Sequence, residues 1–121
     1  MAKPIPTMIN LHQASRVLEI SFDDGSQFDL SCELLRAYSP SAEVRGHGAG
    51  QGVLQTGKEM VTIRNIEQVG NYAVKLDFDD GHNTGIYSWD YLYDLGQNKE
   101  RYWQEYLAAL EKAGYQRDPV K

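Results

Sequence analysis

The chain is predicted to fold as an α+β domain: a mostly antiparallel sheet built from β-hairpins, with helices packed on one face. Two observations carry that prediction. A Phe-Asp-Asp-Gly tetrapeptide occurs twice, at Phe22 to Gly25 and Phe78 to Gly81, each time between two runs of alternating apolar residues. Such a turn needs positive φ, which glycine adopts freely. Near the C-terminus, Tyr102, Trp103, Tyr106, Leu107 and Leu110 recur at intervals of three and four, the spacing of a helix with one apolar face.

The elements follow in order. Residues 1 to 12 carry two prolines and no periodicity, and read as an extended arm or a first edge segment. Val17, Leu18, Ile20 and Phe22 mark a strand, and Asp24-Gly25 turns the chain into a second one through Phe28 and Leu30. Ser31 is placed to cap a helix that runs to about Tyr38 and ends before Pro40. Between Ala42 and Lys58 lie five glycines, too many for regular structure, and this stretch reads as a loop that orders when a partner binds. Met60 to Ile66 and Tyr72 to Phe78 are two further strands, Gly85 to Ser88 a third, Trp89 to Leu95 a short helix. Asn98 is the expected N-cap of the long helix, which ends at Gly114. This divides the chain into an arm (1–15), a domain (16–114) and a polar, frayed tail (115–121). The 56-residue offset between the two turns is a weak echo with nothing else matching around it, and gives no ground for a duplication.

Composition bounds the function. At 121 residues, 41% apolar and 24% charged, the chain has the makings of one ordered core. A net charge of −5, with 12 basic residues among 17 acidic ones, leaves no basic stripe for nucleic acid or an anionic membrane. No apolar run approaches a membrane span, and the N-terminus lacks the basic-then-apolar order of a signal peptide, so a cytosolic location is expected. The single cysteine, Cys32, excludes an internal disulfide and a multi-thiolate zinc cage within the chain. Its place in the first turn of a helix admits a reactive thiol, against the plainer reading of a small packed side chain.

Candidate sites are few. His82 follows Asp79-Asp80-Gly81, and with His47 and Asp80 it offers nitrogen and oxygen donors for iron, manganese or zinc. Against that, neighbouring strand carboxylates point to opposite faces, and a plain turn has Asp80 bonding the backbone while His82 packs over an edge. The glycine loop around Arg45 to Gly48 lacks the lysine and serine of a phosphate-binding loop. No serine, histidine and acid can be placed together for catalysis. Trp89, Tyr91, Tyr93 and Trp103 are aromatics of the kind that anchor protein contacts, although an aromatic stripe is also ordinary core.

The run Leu34-Leu35-Arg36-Ala37-Tyr38-Ser39-Pro40-Ser41-Ala42-Glu43-Val44-Arg45-Gly46-His47-Gly48, then Val69-Gly70-Asn71-Tyr72-Ala73, Phe78-Asp79-Asp80-Gly81-His82 and Gly85-Ile86-Tyr87-Ser88-Trp89-Asp90-Tyr91-Leu92, resembles the small bacterial DUF971 domain. It is similar to the N-terminal domain of γ-butyrobetaine hydroxylase and trimethyllysine hydroxylase. In those oxygenases the resemblance implies a structural zinc held by three cysteines and a histidine. The matching positions here are Ser39, Ser41, Val44 and His82, so three of the four ligands are missing and the family's zinc is not expected. After Leu95 the sequence is too short for the oxygenase catalytic domain, and hydroxylation is not expected either. The same domain resembles a C-terminal module of some iron–sulfur cluster carriers, which implies a setting near iron or cluster handling. The expectation is therefore a non-catalytic accessory module that docks on a protein partner, such as a cluster carrier or an oxygenase, without a cofactor. The alternative is a metal-binding protein using His82. Exposed edge strands leave room for a homodimer.

Overall fold

The structure is a computed structural model that describes residues 3–41, 44 and 53–117. Its elements run β1 (Pro6–His12), β2 (Val17–Phe22), β3 (Gln27–Ser31), α1 (Cys32–Ala37), β4 (Ile63–Val69), β5 (Ala73–Phe78), β6 (Ile86–Ser88), α2 (Trp89–Gln97) and α3 (Lys99–Lys112). The α+β class and the antiparallel hairpins are as predicted. The strands divide between two three-stranded sheets, ordered β1-β2-β3 and β4-β5-β6. The division arises because α1 begins where β3 ends and carries the chain away before β4 starts.

Alternation decides the faces. In β2, Leu18, Ile20 and Phe22 are buried; in β5, Val74, Leu76 and Phe78 are. These central strands join Leu35 of α1 and Leu92 and Leu95 of α2 in one apolar cluster shared by both sheets. Both Asp-Gly turns have the positive φ that the sequence demands, +89° at Gly25 and +92° at Gly81.

Other expectations are refined. The arm contributes β1, an edge strand paired with β2 through Ile9 opposite Ile20. Ser31 caps α1 by accepting from the Leu34 N–H at 3.0 Å. Asn98 is the N-cap residue of α3, as expected, but its side chain makes no capping bond: it turns back to the Asp94 carbonyl and carboxylate of the preceding helix. The first residues of the tail are tied down. Arg117 pairs with Glu33 and stacks over Trp103 at 5.1 Å, and the Tyr115 hydroxyl accepts from the Gly57 N–H at 3.0 Å. The glycine-rich stretch at 45–52, with His47, lies outside the described residues. Among the described residues, no helix is long and apolar enough to cross a membrane.

Candidate functional site

The second Asp-Gly turn sets the position of His82. The Phe78 N–H donates to the His82 carbonyl at 3.0 Å, the Gly81 N–H to the Phe78 carbonyl at 3.1 Å, and the His82 N–H to Asp80 Oδ1 at 3.2 Å. Asp80 thus bonds the backbone as the plain reading of the turn requires. His82 departs from that reading: it is not on an edge but buried, 6% exposed, with its ring tilted 6.2 Å from Phe78. Its Nε2 shares a hydrogen bond of 2.8 Å with Ser39 Oγ, just beyond the end of α1. Ser39 Oγ also accepts from the Ser41 N–H at 3.3 Å, and the Ser41 and Thr84 hydroxyls meet at 2.7 Å. Gly85 borders this cluster so closely that a Cβ there would overlap the Ser39 hydroxyl.

Asp80 gathers charge beside it. Its Oδ2 accepts from Arg36 Nε at 2.9 Å and Lys58 Nζ at 2.6 Å. Burial pushes the Asp80 carboxyl up, but the bonds from Lys58, the His82 N–H and Arg36 outweigh it and hold the pKa at about 2. Arg36 is itself almost wholly buried, and its Nη1 is a buried donor without a partner among the described residues.

This geometry bears on each predicted site. His82 and Asp80 are brought together, yet through the His82 backbone rather than its ring, and the carboxylate is committed to two cations. Among the described residues, no three of His, Cys, Asp and Glu gather as a metal would need. Cys32 is fully buried, and burial pushes its thiol pKa up, so the helix-start argument for a reactive thiol is overturned by desolvation. Ser39 and His82 do form a serine–histidine pair, which the sequence did not suggest. It is sealed from solvent, with Ser39 fully buried, and the turn's carboxylate sits on the His82 backbone, not behind its ring.

The aromatics singled out in the sequence are half-buried, not exposed. Trp89 Nε1 donates to the Asn71 carbonyl at 2.7 Å, the Tyr91 hydroxyl to the Tyr38 carbonyl, and the Tyr93 hydroxyl to Asp24 at 2.6 Å. All three, with Trp103, pack against the core. The exposed apolar residues are others: Val53, Leu54, Met60, Tyr72 and Ile86 among them.

Tyr91 nevertheless lines a groove on the described surface. A groove of about 340 Å³ lies between residues 53–55 and α3, and Tyr38, Val44, Val53, Leu54, Tyr91 and Tyr106 line it. Its tyrosine hydroxyls are engaged: Tyr38 donates to the Tyr102 carbonyl at 2.9 Å, Tyr106 to the Gln55 carbonyl at 2.6 Å, and Tyr91 to the Tyr38 carbonyl. Burial raises the Tyr38 pKa to about 12, so the hydroxyl stays protonated. Sequence reasoning missed Arg36, Lys58 and Leu54, and reached Ser39 only through the family resemblance. Their roles rest on contacts across dozens of residues, for which no local pattern exists.

The family model "Gamma-butyrobetaine hydroxylase-like, N-terminal" matches residues 9–93. The fold and site are those of a small α+β module with a polar cluster at the hairpin turn, and the chain belongs to the γ-butyrobetaine hydroxylase-like N-terminal family. Two proteins solved in solution by NMR are similar over nearly the whole chain. One is 58% identical, covering 98% of this chain and 89% of its own, at a TM-score of 0.83. The other is 48% identical, covering 99% and 94%, also at 0.83. A crystal structure of a DUF971 family protein of unknown function from Acidithiobacillus ferrooxidans is 40% identical, covering 75% of this chain and 91% of that one, at 0.64. No curated protein matches.

The family resemblance makes zinc the group to test against this site. The four positions that resemblance points to do cluster: Ser39 bonds His82, the Ser41 N–H reaches Ser39, and the Val44 N–H donates to the Ser41 carbonyl at 3.0 Å. The donors do not fit. Neutral hydroxyls are poor zinc ligands, a valine is none, and the hydroxyls present are engaged with His82 and Thr84. Hydrogen bonds hold together here what thiolates would otherwise hold.

Proposed function

We propose that this chain is a non-catalytic accessory module of the cytoplasm that docks on a protein partner through the groove between residues 53–55 and α3. The observation supporting it is the chemistry of that groove. Its tyrosine hydroxyls are all spent on backbone carbonyls, and its lining is mostly aromatic and aliphatic, bordered by the exposed Val53 and Leu54, with the Glu105 carboxylate as its charged group. A surface of this kind recognises an apolar side chain on a partner, and Tyr is a favoured residue at such contacts. The resemblance to modules of cluster carriers and oxygenases makes a protein of iron or iron–sulfur chemistry the partner class to try first. No cofactor of its own is needed for this role.

The test is capture of partners by the tagged chain, with Leu54→Asp against Ile86→Asp. Both residues are exposed, so both variants keep the fold; only the first places a charge in the groove. Loss of a stoichiometric partner with Leu54→Asp alone supports the reading. Equal binding by both variants, or no partner for the parent chain, removes it.

A further inference from the structure

We infer that the domain is one β-β-β-α unit used twice, residues 5–40 and 62–97, and that the Ser39–His82 pair is the second unit's replacement for an aromatic plug that Phe28 makes in the first. The sequence shows only the repeated tetrapeptide. The backbone shows the rest. Both first strands carry a register irregularity at the corresponding place, between Pro6 and Met8 in β1 and between Ile63 and Asn65 in β4. In each turn the first aspartate closes two bonds to the residue ahead of the first strand. Asp23 N–H donates to the Ile5 carbonyl at 2.9 Å and Ile5 N–H to Asp23 Oδ1 at 3.2 Å. Asp79 N–H donates to the Thr62 carbonyl at 2.9 Å and Thr62 N–H to Asp79 Oδ1 at 3.2 Å.

The match continues to the helices. The second aspartate of each turn accepts from the N–H two residues on, of Ser26 in one unit and His82 in the other. Ser31 and Ser88 cap α1 and α2 through the N–H groups of Leu34 and Tyr91. The first residue of each helix donates at 2.9 Å to a carbonyl ahead of the unit's second strand, Cys32 to Arg16 and Trp89 to Tyr72. The two units also grip each other reciprocally, as copies related by a two-fold do. Arg36 of α1 reaches the second unit's turn at Asp80, and Tyr93, its counterpart in α2, reaches the first unit's turn at Asp24.

Against that background one place differs. In the first unit Phe28 lies over Gly96 of α2, where a Cβ would overlap its ring, and packs edge-on against Phe22 at 5.9 Å and Tyr93 at 5.6 Å. In the second unit the counterpart of Phe28 is Gly85, that of Gly96 is Ser39, and that of Ser26 is His82. Small and large have changed sides. Gly85 stands on the strand, Ser39 occupies the helix side, and the imidazole lies 6.2 Å from Phe78, the counterpart of Phe22. The polar pair is thus a substitute for packing that the unit already knows how to make, and it lies beside the groove, which Ser39 also lines.

The test transplants the first unit's plug into the second in the full chain and follows thermal unfolding. Gly85→Phe alone collides with Ser39 and lowers the melting temperature by roughly 5–12 °C, or abolishes a cooperative melt. Gly85→Phe combined with Ser39→Gly and His82→Ser recovers at least half of that loss, and melts above the Ser39→Gly, His82→Ser variant that lacks the ring. In the mirror experiment, Ser26→His with Gly96→Ser partly rescues Phe28→Gly. A triple variant no more stable than Gly85→Phe alone overturns the inference. So does a Gly85→Phe protein that melts with the parent.

Discussion

Ser39 Oγ and His82 Nε2 lie 2.8 Å apart although 43 positions separate them in the chain. That bond ties the end of α1 to the second hairpin turn at the positions where the family resemblance points to a zinc. Both partners are buried, so the bond cannot be exchanged for water without opening the fold. Ser39→Ala leaves the imidazole nitrogen facing an apolar group and is expected to cost about 1–3 kcal/mol. Urea unfolding measures it directly. A loss below about 0.5 kcal/mol, the scatter of surface substitutions, contradicts the role given to the pair.

Asp80 makes the fold sensitive to acid. Its carboxyl is held at about 2 in the folded protein, below its ordinary value of 3.8, so its contribution is complete above that value and is lost as pH falls through 2. Stability is expected to drop over this window, and Asp80→Asn to remove that part of the pH dependence. At neutral pH the same substitution leaves Arg36 buried without its carboxylate, a loss of about 1–3 kcal/mol once the partial exposure of Asp80 is allowed for. Unfolding curves from pH 2 to 7 check both points.

Gly81 separates backbone strain from crowding. Its φ is +92° and nothing lies within 4 Å of a Cβ built there, so Gly81→Ala carries conformational strain alone, about 1–2 kcal/mol. Gly81→Asn, which tolerates positive φ better, is expected to lose less. A larger loss for asparagine than for alanine in chemical denaturation contradicts this account of the turn.

Cys32 is expected to be inert in the folded protein. It is fully buried and its thiol is pushed up by burial, so a thiol-specific reagent should label it only at the rate of unfolding. Prompt labelling under native conditions contradicts its placement.

These cases show what the sequence reveals. Local rules found the turns at Gly25 and Gly81, the cap at Ser31, the alternation of β2 and β5 and the stripe of α3, because each is written in neighbouring residues. They placed Asn98 correctly at the start of α3 but not its side chain, which bonds Asp94 instead of capping the helix. They do not say how far Trp89, Tyr91 and Trp103 are exposed, because residue type does not report exposure; all three are half-buried against the core. Ser39 and His82 were brought to one site only by the family resemblance, while Arg36–Asp80 and the matched halves were out of reach, because backbone bonds such as Ile5–Asp23 and Thr62–Asp79 form without any shared side chain ahead of the strand.

The central claim is that the groove beside Leu54 receives a protein partner. Its most direct measurement is quantitative partner capture by the parent chain, Leu54→Asp and Ile86→Asp, with the fold of each verified by its melt. The account predicts one partner retained by Ile86→Asp and lost by Leu54→Asp at an unchanged melting temperature. Retention of that partner by a folded Leu54→Asp protein contradicts it.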